Sequence, residues 1–347
     1  MAPGLVFALV LIVTILWGML PFIPAFIELW WPKDAIPLNA VGKDSGQLSF
    51  FAESFGKRMA REGMLSADAP VRLADGSPVV HHSRTRPLPA REEPANNMVL
   101  LLDDAPLPDN LVVTRESLAQ RTFRGGRASS FRAILGQQDV LLGDASLIQR
   151  WVHAVGHLVV GDRTRLRGRA TSDRDILLRT DVSFDRLDAP VVRVAGQGRL
   201  ETPIMPLSAY TPFIPEGAVS LGTAYWRVTG DLEIPSGCSL RGSVIVLGKV
   251  IVQPNARVEG SIKARGLLHV QANAVVMGSL VSQQQIIVED GARVNGPLIA
   301  ERSMAIGAAA IGMASRRTTI SAPRIRLHSG ATIYGAVVAS QAGLTVI

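Results

Sequence analysis

The side chains of this sequence best suited to acid–base or metal chemistry are its six histidines. His81 and His82 have no cysteine or carboxylate at ligand spacing, whereas a structural zinc site needs about four such ligands. His153 and His157 lie four residues apart, which would bring them together on a helix, but no third ligand accompanies them. We therefore predict no metal site and no cofactor.

A second candidate for chemistry is the segment RTRLRGR, residues 163–169, in which arginine occupies every second position. On a strand, alternate side chains point to the same face, so all four arginines are predicted to point outward. Arg163 and Arg167 each have an aspartate eighteen residues later, and opposite charges on neighbouring strands stabilise each other by about 0.2–1 kcal/mol. Arg165 and Arg169 have no such partner. We predict that these two contact an anionic surface such as lipid headgroups.

The composition favours stacked repeats over a compact enzyme core. Only 18 of the 347 residues are Phe, Trp or Tyr, and the single cysteine, Cys238, excludes an internal disulfide. The net charge of +7 is concentrated in residues 111–200, which hold 15 arginines, no lysine and nine acidic residues. Such a region indicates either an anionic neighbour or a solvated basic face. Nucleic acid is not expected as a partner, because aromatic residues do not alternate with the arginines.

The N-terminal 31 residues are predicted to form a single-pass transmembrane anchor. Residues 4–20 are apolar and uncharged, and the first charged side chain is Glu28. About 20 apolar residues are enough for a helix to cross a bilayer. No basic residue precedes the apolar run and no small-residue cleavage site follows it, which disfavours a signal peptide. Lysines and arginines follow the run, so the positive-inside rule places the bulk of the chain in the cytoplasm.

Residues 32–130 are predicted to form a juxtamembrane amphipathic helix and a small mixed α/β segment. Apolar residues recur at helical spacing between Ser45, a possible cap, and Gly63, a possible stop. Such a stripe either lies in the headgroup plane of a membrane or packs on its own domain, and packing is the more common case. Residues 98–113 contain two strand-like runs interrupted by prolines.

Residues 131–200 predict a short first array of stacked strands. Cut into eighteens, residues 139–192 place their apolar side chains in three columns. Two of these columns are two residues apart, the spacing of one strand face. The columns are Val140/Leu158/Ile176, Leu142/Val160/Leu178 and Ile148/Leu166/Phe184. A connection with four prolines, residues 201–229, is predicted to follow in an extended conformation.

Residues 230–347 repeat with a period of eighteen and predict the main array. The segment VIVQPNARVEG (250–260) returns as IIVEDGARVNG (286–296), with a weaker copy between them. Such a period indicates stacked supersecondary units. Three sides of six residues predict a β-helix that rises about 4.8 Å per coil. The fold class predicted for the chain is therefore an all-β solenoid, a three-sided β-helix with about 18 residues per coil, preceded by the transmembrane helix and the mixed segment.

Apolar and glycine positions of the main array recur in register. A glycine that recurs just after a strand indicates a sharp corner or a positive φ. The apolar columns are Leu232/Val250/Leu268/Ile286/Met304/Ile325, Ile234/Val252/Val270/Val288/Ile306/Leu327, Leu240/Val258/Val276/Val294/Ile333 and Val244/Ile262/Leu280/Leu298/Val337, and the glycine column is Gly242/Gly260/Gly278/Gly296/Gly335.

The Gly- and Val-rich coils, with their GSV, GSI and GSL steps, resemble the bactofilins, polymer-forming cytoskeletal β-helix proteins of bacteria. The resemblance covers residues 228–341, and more weakly 131–195. It implies a rigid β-helix that assembles end to end without nucleotide and organises proteins at the membrane, often in cell shape or envelope morphogenesis. This chain departs from the family plan, because the anchor, the mixed segment and the first array are additions that could cover one end of the helix.

Hexad periodicity is also typical of the left-handed β-helix acyltransferases, an enzymatic alternative for this chain. Their chemistry needs a histidine base near a cofactor groove between subunits. The main array offers only His269 and His328, without an obvious carboxylate to orient either one. The chain also contains no Gly-rich phosphate loop and no Ser/His/Asp arrangement. We therefore predict a non-catalytic protein and keep the acyltransferase as the alternative.

The C-terminal end of the main array is where self-association is predicted. A β-helix end exposes unpaired strand edges, which proteins normally cap. After the last coil the chain offers only QAGLTVI, so Leu344, Val346 and Ile347 are predicted to contact a second copy or else to fold back as a small cap. The sequence thus predicts a scaffold in the bacterial inner membrane, whose partners are copies of itself, membrane lipids and envelope or cell-wall proteins.

Overall fold

The structure is a computed structural model that describes residues 17–19, 48–66, 68–88, 94–196, 205–222 and 224–346. The chain divides into two compact units, residues 1–47 and 48–347. Of the predicted anchor, only Trp17–Met19 is described, and it is helical; the rest of residues 1–31 lies outside the described residues. Within the described ranges, no helix is long and apolar enough to span a bilayer.

The second unit contains a β-solenoid of about 14 turns, which confirms the predicted all-β solenoid. Its strands form two successive arrays, and within each array strands of neighbouring turns pair in parallel. The first array consists of β1 (Val79–His82), β2 (Met98–Leu101), β3 (Val112–Ala119), β4 (Phe123–Arg124), β5 (Ser130–Gly136), β6 (Val140–Leu142), β7 (Leu147–Ala154), β8 (Leu158–Val160), β9 (Arg165–Ser172), β10 (Asp175–Leu178) and β11 (Ser183–Val194).

The second array begins with a short 3₁₀ turn, Leu207–Ala209, and contains the remaining strands. These are β12 (Thr211–Phe213), β13 (Val219–Ser220), β14 (Tyr225–Val228), β15 (Leu232–Ile234), β16 (Cys238–Leu240), β17 (Ser243–Val246), β18 (Val250–Val252), β19 (Arg257–Val258), β20 (Ile262–Ala264), β21 (Leu268–Val270), β22 (Val275–Val276), β23 (Leu280–Ser282), β24 (Gln285–Val288), β25 (Arg293–Val294), β26 (Leu298–Ala300), β27 (Ser303–Ile306), β28 (Ala310–Ile311), β29 (Thr318–His328) and β30 (Thr332–Val346).

The strand register reproduces the predicted apolar columns. In the first array Ile148 pairs with Leu166, and Leu166 pairs with Phe184. The columns of the second array are likewise hydrogen-bonded neighbours, and their side chains fill one continuous core. Two members were missing from the prediction, Ile311 and Ile320, because the period is irregular there: Ile311 follows its partner Val294 by 17 residues, and Ile320 follows its partner Leu298 by 22.

Both arrays begin earlier in the chain than predicted. β1, β2 and β3 pair with one another and then with β5, so the first array starts at Val79 rather than at residue 131. The predicted Pro-rich connection also contributes to the second array, because β12 pairs with β16 and β14 pairs with β17. Pro212 is tolerated in β12 because this strand has a neighbour on one side only among the described residues.

One corner has a residue with positive φ in most turns of both arrays. The opening repeat shows it, because Asn255 of QPNAR and Gly291 of EDGAR occupy the same corner with φ values of 59° and 73°. Asparagine and glycine are the residues that adopt this conformation most readily. The corner recurs through both arrays, at Asn110, Ala128, Ala145, Arg163, Asp181, Gly237, Asn255, Asn273, Gly291 and Gly330.

Glycine is needed in the predicted column for two different physical reasons. Gly242 and Gly335 have φ values of 92° and 132°, as expected for a corner. Gly260 and Gly278 are required for a different reason, because a Cβ at either position would lie 2.3 Å and 2.5 Å, respectively, from backbone atoms of the glycine one turn earlier. These glycines therefore allow successive turns to approach closely.

The two arrays are joined tail to tail by an antiparallel seam between β11 and β30. The last turn of the first array thus pairs with the last turn of the second. The pairing extends along both strands, as shown by Ser183↔Leu344, Leu187↔Val337 and Val192↔Ile333. The buried Thr345 reinforces the seam, since its hydroxyl accepts from the N–H of Val182 at 2.9 Å and donates to the carbonyl of Arg179 at 2.7 Å.

The predicted amphipathic helix is α1 (Phe50–Arg61), and it packs on the outside of the first array. Ala52 and Met59 are buried against this surface, and the rings of Phe55 and Trp151 lie 5.7 Å apart. Gly63, with a φ of 74°, ends the helix as predicted. Ser45 lies outside the described residues, and the helix begins at Phe50. The alternative in which the apolar stripe packs on its own domain is therefore confirmed for Ala52 and Met59.

Candidate functional sites

We call the N-terminal end of the second array, residues 205–234, the open end. β12 pairs only with β16 and β15 pairs only with β18, so each has one unpaired edge among the described residues. The outer edge of β14 is covered by the short antiparallel strand β13. Unpaired backbone groups at such an edge can hydrogen-bond to another strand.

The open end also exposes apolar side chains. Phe213, Ala218 and Trp226 pack against the last core residues and cover them in part. Beyond this layer, large apolar side chains remain more than half exposed, which is unusual for a soluble surface patch and typical of an interaction surface. They are Met205, Ile214, Val219, Leu221 and Tyr225.

At the opposite end of the solenoid, β1 pairs only with β2 among the described residues, and the segment after β1 covers part of the core. Leu88 packs against the core there, and Ala95 and Leu107 are buried. The backbone N–H of Leu88 donates to Nδ1 of the buried His82 at 3.1 Å, which fixes the segment after β1. Both ends of the solenoid thus have an unpaired strand edge among the described residues, and the open end differs in exposing more large apolar side chains.

The C-terminal residues that were predicted to form the self-association end do not form a free strand edge. β30 pairs with β29 on one side and with β11 on the other. Leu344 is paired with both Arg326 and Ser183, and Val346 is paired with His328. Ile347 lies outside the described residues. The premise of an uncapped C-terminal edge is thus wrong for Leu344, because the first array already covers it.

A histidine–carboxylate pair lies on one side of the second array. Nε2 of His269 donates to Oε1 of Glu289 at 2.6 Å, and Oε2 of Glu289 accepts from the N–H of Ala272 at 3.0 Å. The sequence reasoning missed this carboxylate, although Glu289 follows His269 by one period plus two residues. That spacing places the two side chains on adjacent strands of the same outer surface. His269 points outward, as predicted, and its side chain is 21% exposed.

Glu289 also lines an open groove of about 690 Å³. The small residues Ala305 and Gly307 form its floor, and Ile287 and His328 stand on its two sides. A carboxylate-oriented imidazole beside a groove can act as a general base. The pair therefore supplies the orienting carboxylate that the sequence did not show for the acyltransferase alternative.

The two arginines predicted to share an anionic surface lie on different parts of the first array. Arg165 is exposed and begins β9, whereas Arg169 pairs with Trp151 under helix α1. The guanidinium of Arg169 lies 4.7 Å from the centre of the Phe51 ring, within the range of a cation–π contact. Side chains do not alternate regularly between the two faces from Arg165 to Arg169, because Gly168, with a φ of 81°, turns the chain between these two arginines.

The expected ion pairs of the arginine segment are also absent among the described residues. Arg163 is at a corner with a φ of 57° rather than on a strand. Asp185, which was expected to pair with Arg167, instead accepts from the backbone N–H of Gly168 at 2.8 Å. Arg317 forms an ion pair with Asp188 of the first array and thereby links the two arrays.

His153 and His157, which lie four residues apart in the sequence, are held by separate partners. Nδ1 of the buried His153 is 2.8 Å from the hydroxyl of Thr171, and burial lowers the pKa of His153. Nδ1 of His157 is 2.5 Å from a carboxylate oxygen of Asp175. Within the described residues, no group of three or more His, Cys, Asp or Glu side chains is arranged to hold a metal ion.

Comparison with protein-family models, with curated proteins and with solved structures finds no match to this chain. The β-solenoid fold therefore stands on the strand pairings alone, and the bactofilin resemblance stays a prediction.

Proposed function

We propose that the chain is a non-catalytic scaffold that self-associates through the open end and is held at the bacterial inner membrane by residues 1–31. The observation that carries this proposal is the open end itself, which combines unpaired edges of β12 and β15 with exposed apolar side chains. The bactofilin resemblance supports the same reading, since it implies assembly of β-helix ends without nucleotide.

The occupant proposed for the open end is the open end of a second copy. The chain already contains one junction of this kind, the antiparallel seam, in which two solenoid ends meet turn against turn. A two-fold contact uses the same surface on both subunits and closes after two copies. Because Leu88 packs against the core at the opposite end and fewer large apolar side chains are exposed there, we expect a discrete dimer rather than an open filament. The dimer would present a stiff surface to envelope proteins and lipids.

The test is the mass of the purified full chain in a non-ionic detergent, measured by light scattering across a concentration series. The wild-type chain is expected to be a dimer, and the double variant Ile214→Glu/Leu221→Glu is expected to be a monomer, because buried unpaired carboxylates would strongly oppose the contact. The matched control is Ile245→Glu/Ile299→Glu, which places two carboxylates on exposed positions along the side of the second array. This control is expected to remain a dimer.

Two results would overturn the proposal. One is a wild-type chain that stays monomeric at every concentration. The other is dimerisation that is unaffected by the substitutions at the open end but lost in Leu344→Glu, which would place the contact at the C-terminal residues. Electron microscopy distinguishes the discrete dimer from filaments.

The acyltransferase is the second candidate, and the His269–Glu289 pair is the observation that favours it. In that reading the imidazole would deprotonate the acceptor group while Glu289 orients it. Titration calorimetry with coenzyme A decides between the two candidates. Under the scaffold proposal no heat of binding is expected; binding that is weakened in Glu289→Gln would favour the enzyme.

A further inference from the structure

The seam between the two arrays carries a groove that the scaffold proposal does not use. It has a volume of about 440 Å³, within the usual range of small-molecule sites of roughly 300–1,000 Å³. Both arrays contribute to it, because β9 and β11 form one side and the end of β30 forms the other. The groove is lined by Arg165, Leu166, Arg167, Ser183, Phe184, Asp185, Gln341, Ala342 and Gly343.

Four arginines flank the seam in pairs, two from each array. Arg165 pairs with Ser183 in register, Ser183 with Leu344, and Leu344 with Arg326. Three strand spacings therefore separate the backbones of Arg165 and Arg326, a distance of about 14 Å. Arg167 and Arg324 lie two residues away from Arg165 and Arg326 on the same two strands, and Arg324 pairs with Ala342, which lines the groove. The long side chains of both pairs can thus reach towards the groove from opposite sides.

Four exposed guanidinium groups beside the groove are unpaired in the described part of the chain. None of Arg165, Arg167, Arg324 and Arg326 forms an ion pair or a side-chain hydrogen bond with a described residue, and all four are exposed. The one carboxylate that lines the groove is Asp185, and it accepts a hydrogen bond from the backbone N–H of Gly168. The groove therefore keeps a net positive charge.

The floor of the groove supplies neutral polar groups of modest size. Ser183 offers a hydroxyl and Gln341 offers an amide, while the small side chain of Ala342 leaves room above the backbone. Arginine matches the geometry of phosphate oxygens with two parallel N–H groups, and such charge-assisted hydrogen bonds are roughly twice as strong as neutral ones.

We propose that the seam groove binds a phosphate-bearing oxyanion, held between Arg165 and Arg167 of the first array and Arg324 and Arg326 of the second. The phosphate group can belong to a soluble metabolite or to a phospholipid headgroup. Because the ligand contacts both arrays, its binding also stabilises the seam against separation of the two arrays.

The test measures the accessibility of individual arginines in the full chain, by the rate of their reaction with phenylglyoxal and peptide mass spectrometry. Inorganic pyrophosphate is the soluble probe. We expect it to slow the modification of all four groove arginines at least threefold, while Arg241 and Arg265, exposed arginines away from the seam, serve as controls within the same molecule. The variant Arg165→Gln/Arg167→Gln is expected to remove the protection of Arg324 and Arg326, since both pairs hold one ligand.

A second arm separates the two sources of phosphate. The full chain is reconstituted in nanodiscs of phosphatidylcholine, with or without phosphatidylglycerol, in the absence of pyrophosphate. Protection of the groove arginines that requires phosphatidylglycerol assigns the site to a lipid headgroup, whereas protection by pyrophosphate alone assigns it to a soluble ligand. The proposal is overturned if neither probe protects the groove, if the control arginines are protected equally, or if protection of Arg324 and Arg326 survives in Arg165→Gln/Arg167→Gln.

Discussion

Phe184 and Gly343 face each other across the antiparallel seam, and the ring of Phe184 occupies the space that a side chain at position 343 would need. A Cβ on Gly343 would lie 2.2 Å from the ring, and Phe184 is only 2% exposed. A large residue in the first array is thus matched by the absence of a side chain in the second. This match fixes how the two arrays meet.

The first prediction concerns this pair. Gly343→Ala is expected to lower the free energy of unfolding by about 1–3 kcal/mol, because the buried ring has to move to admit the methyl group. Urea denaturation followed by circular dichroism measures the change. The matched control is Gly230→Ala, since no atom lies within 4 Å of a Cβ at position 230. Equal stability of the two variants would show that the seam does not depend on this contact.

The second prediction uses the positive-φ corner. Ala145 adopts a φ of 56°, a conformation that is unfavourable for a residue with a side chain. Ala145→Gly is therefore expected to raise the free energy of unfolding by about 0.5–1 kcal/mol. Ala133→Gly, at a buried position of β5 without positive φ, is the control and is expected to destabilise the protein. If both substitutions destabilise it by the same amount, the corner is not strained.

The third prediction is a pH dependence that arises from His153. Burial lowers the pKa of His153, and the nearby Asp173 and Glu53 only partly oppose this effect. The unfolded chain, with a histidine pKa of about 6.5, therefore binds a proton before the folded chain does. The stability that neutral His153 contributes is complete above the unfolded pKa and is lost as the pH falls below it.

The measurement for His153 is urea denaturation at intervals between about pH 7.5 and pH 5. The wild-type protein is expected to lose more stability over this interval than His153→Asn, which has no titrating group at this position. Parallel curves for the two proteins would contradict the prediction.

The fourth prediction concerns the attachment of α1. Met59 is fully buried between the helix and the first array. Met59→Ala is therefore expected to lower the free energy that holds α1 on the first array by about 2–5 kcal/mol. Hydrogen exchange is expected to show loss of protection in residues 50–61, while β21 and its neighbours keep theirs. Lys57→Ala, at an exposed position of the same helix, should leave the exchange unchanged; faster exchange in this control as well would point to intrinsic helix fraying.

Much of the second array was predictable from sequence because its register is periodic. Pairs such as Val250↔Leu268 follow directly from a spacing of eighteen, since inward side chains of successive turns must stack in one core. The start of the first array at Val79 was not predictable in the same way. Prolines and loops interrupt the repeat there, and pairings such as Val79↔Met98 depart from the period.

The candidate sites depended more strongly on the three-dimensional structure. The prediction that Arg165 and Arg169 share a surface assumed one straight strand, and the positive φ of Gly168 breaks that strand. The pairing of His269 with Glu289 could have been found from the period, because it joins neighbouring turns. The approach of Arg165 to Arg326 could not, since the residues are far apart in sequence and no repeat relates them.

The sequence by itself therefore determined the class of fold and the inward residues of each turn, because local periodicity decides which side chains can be buried together. Only the tertiary structure decided which solenoid end stays open. The antiparallel seam joins Ser183 to Leu344, and such a contact depends on the complementary shapes of two distant coils rather than on any local pattern. That seam covers the C-terminal edge and leaves β12 and β15 with an unpaired edge.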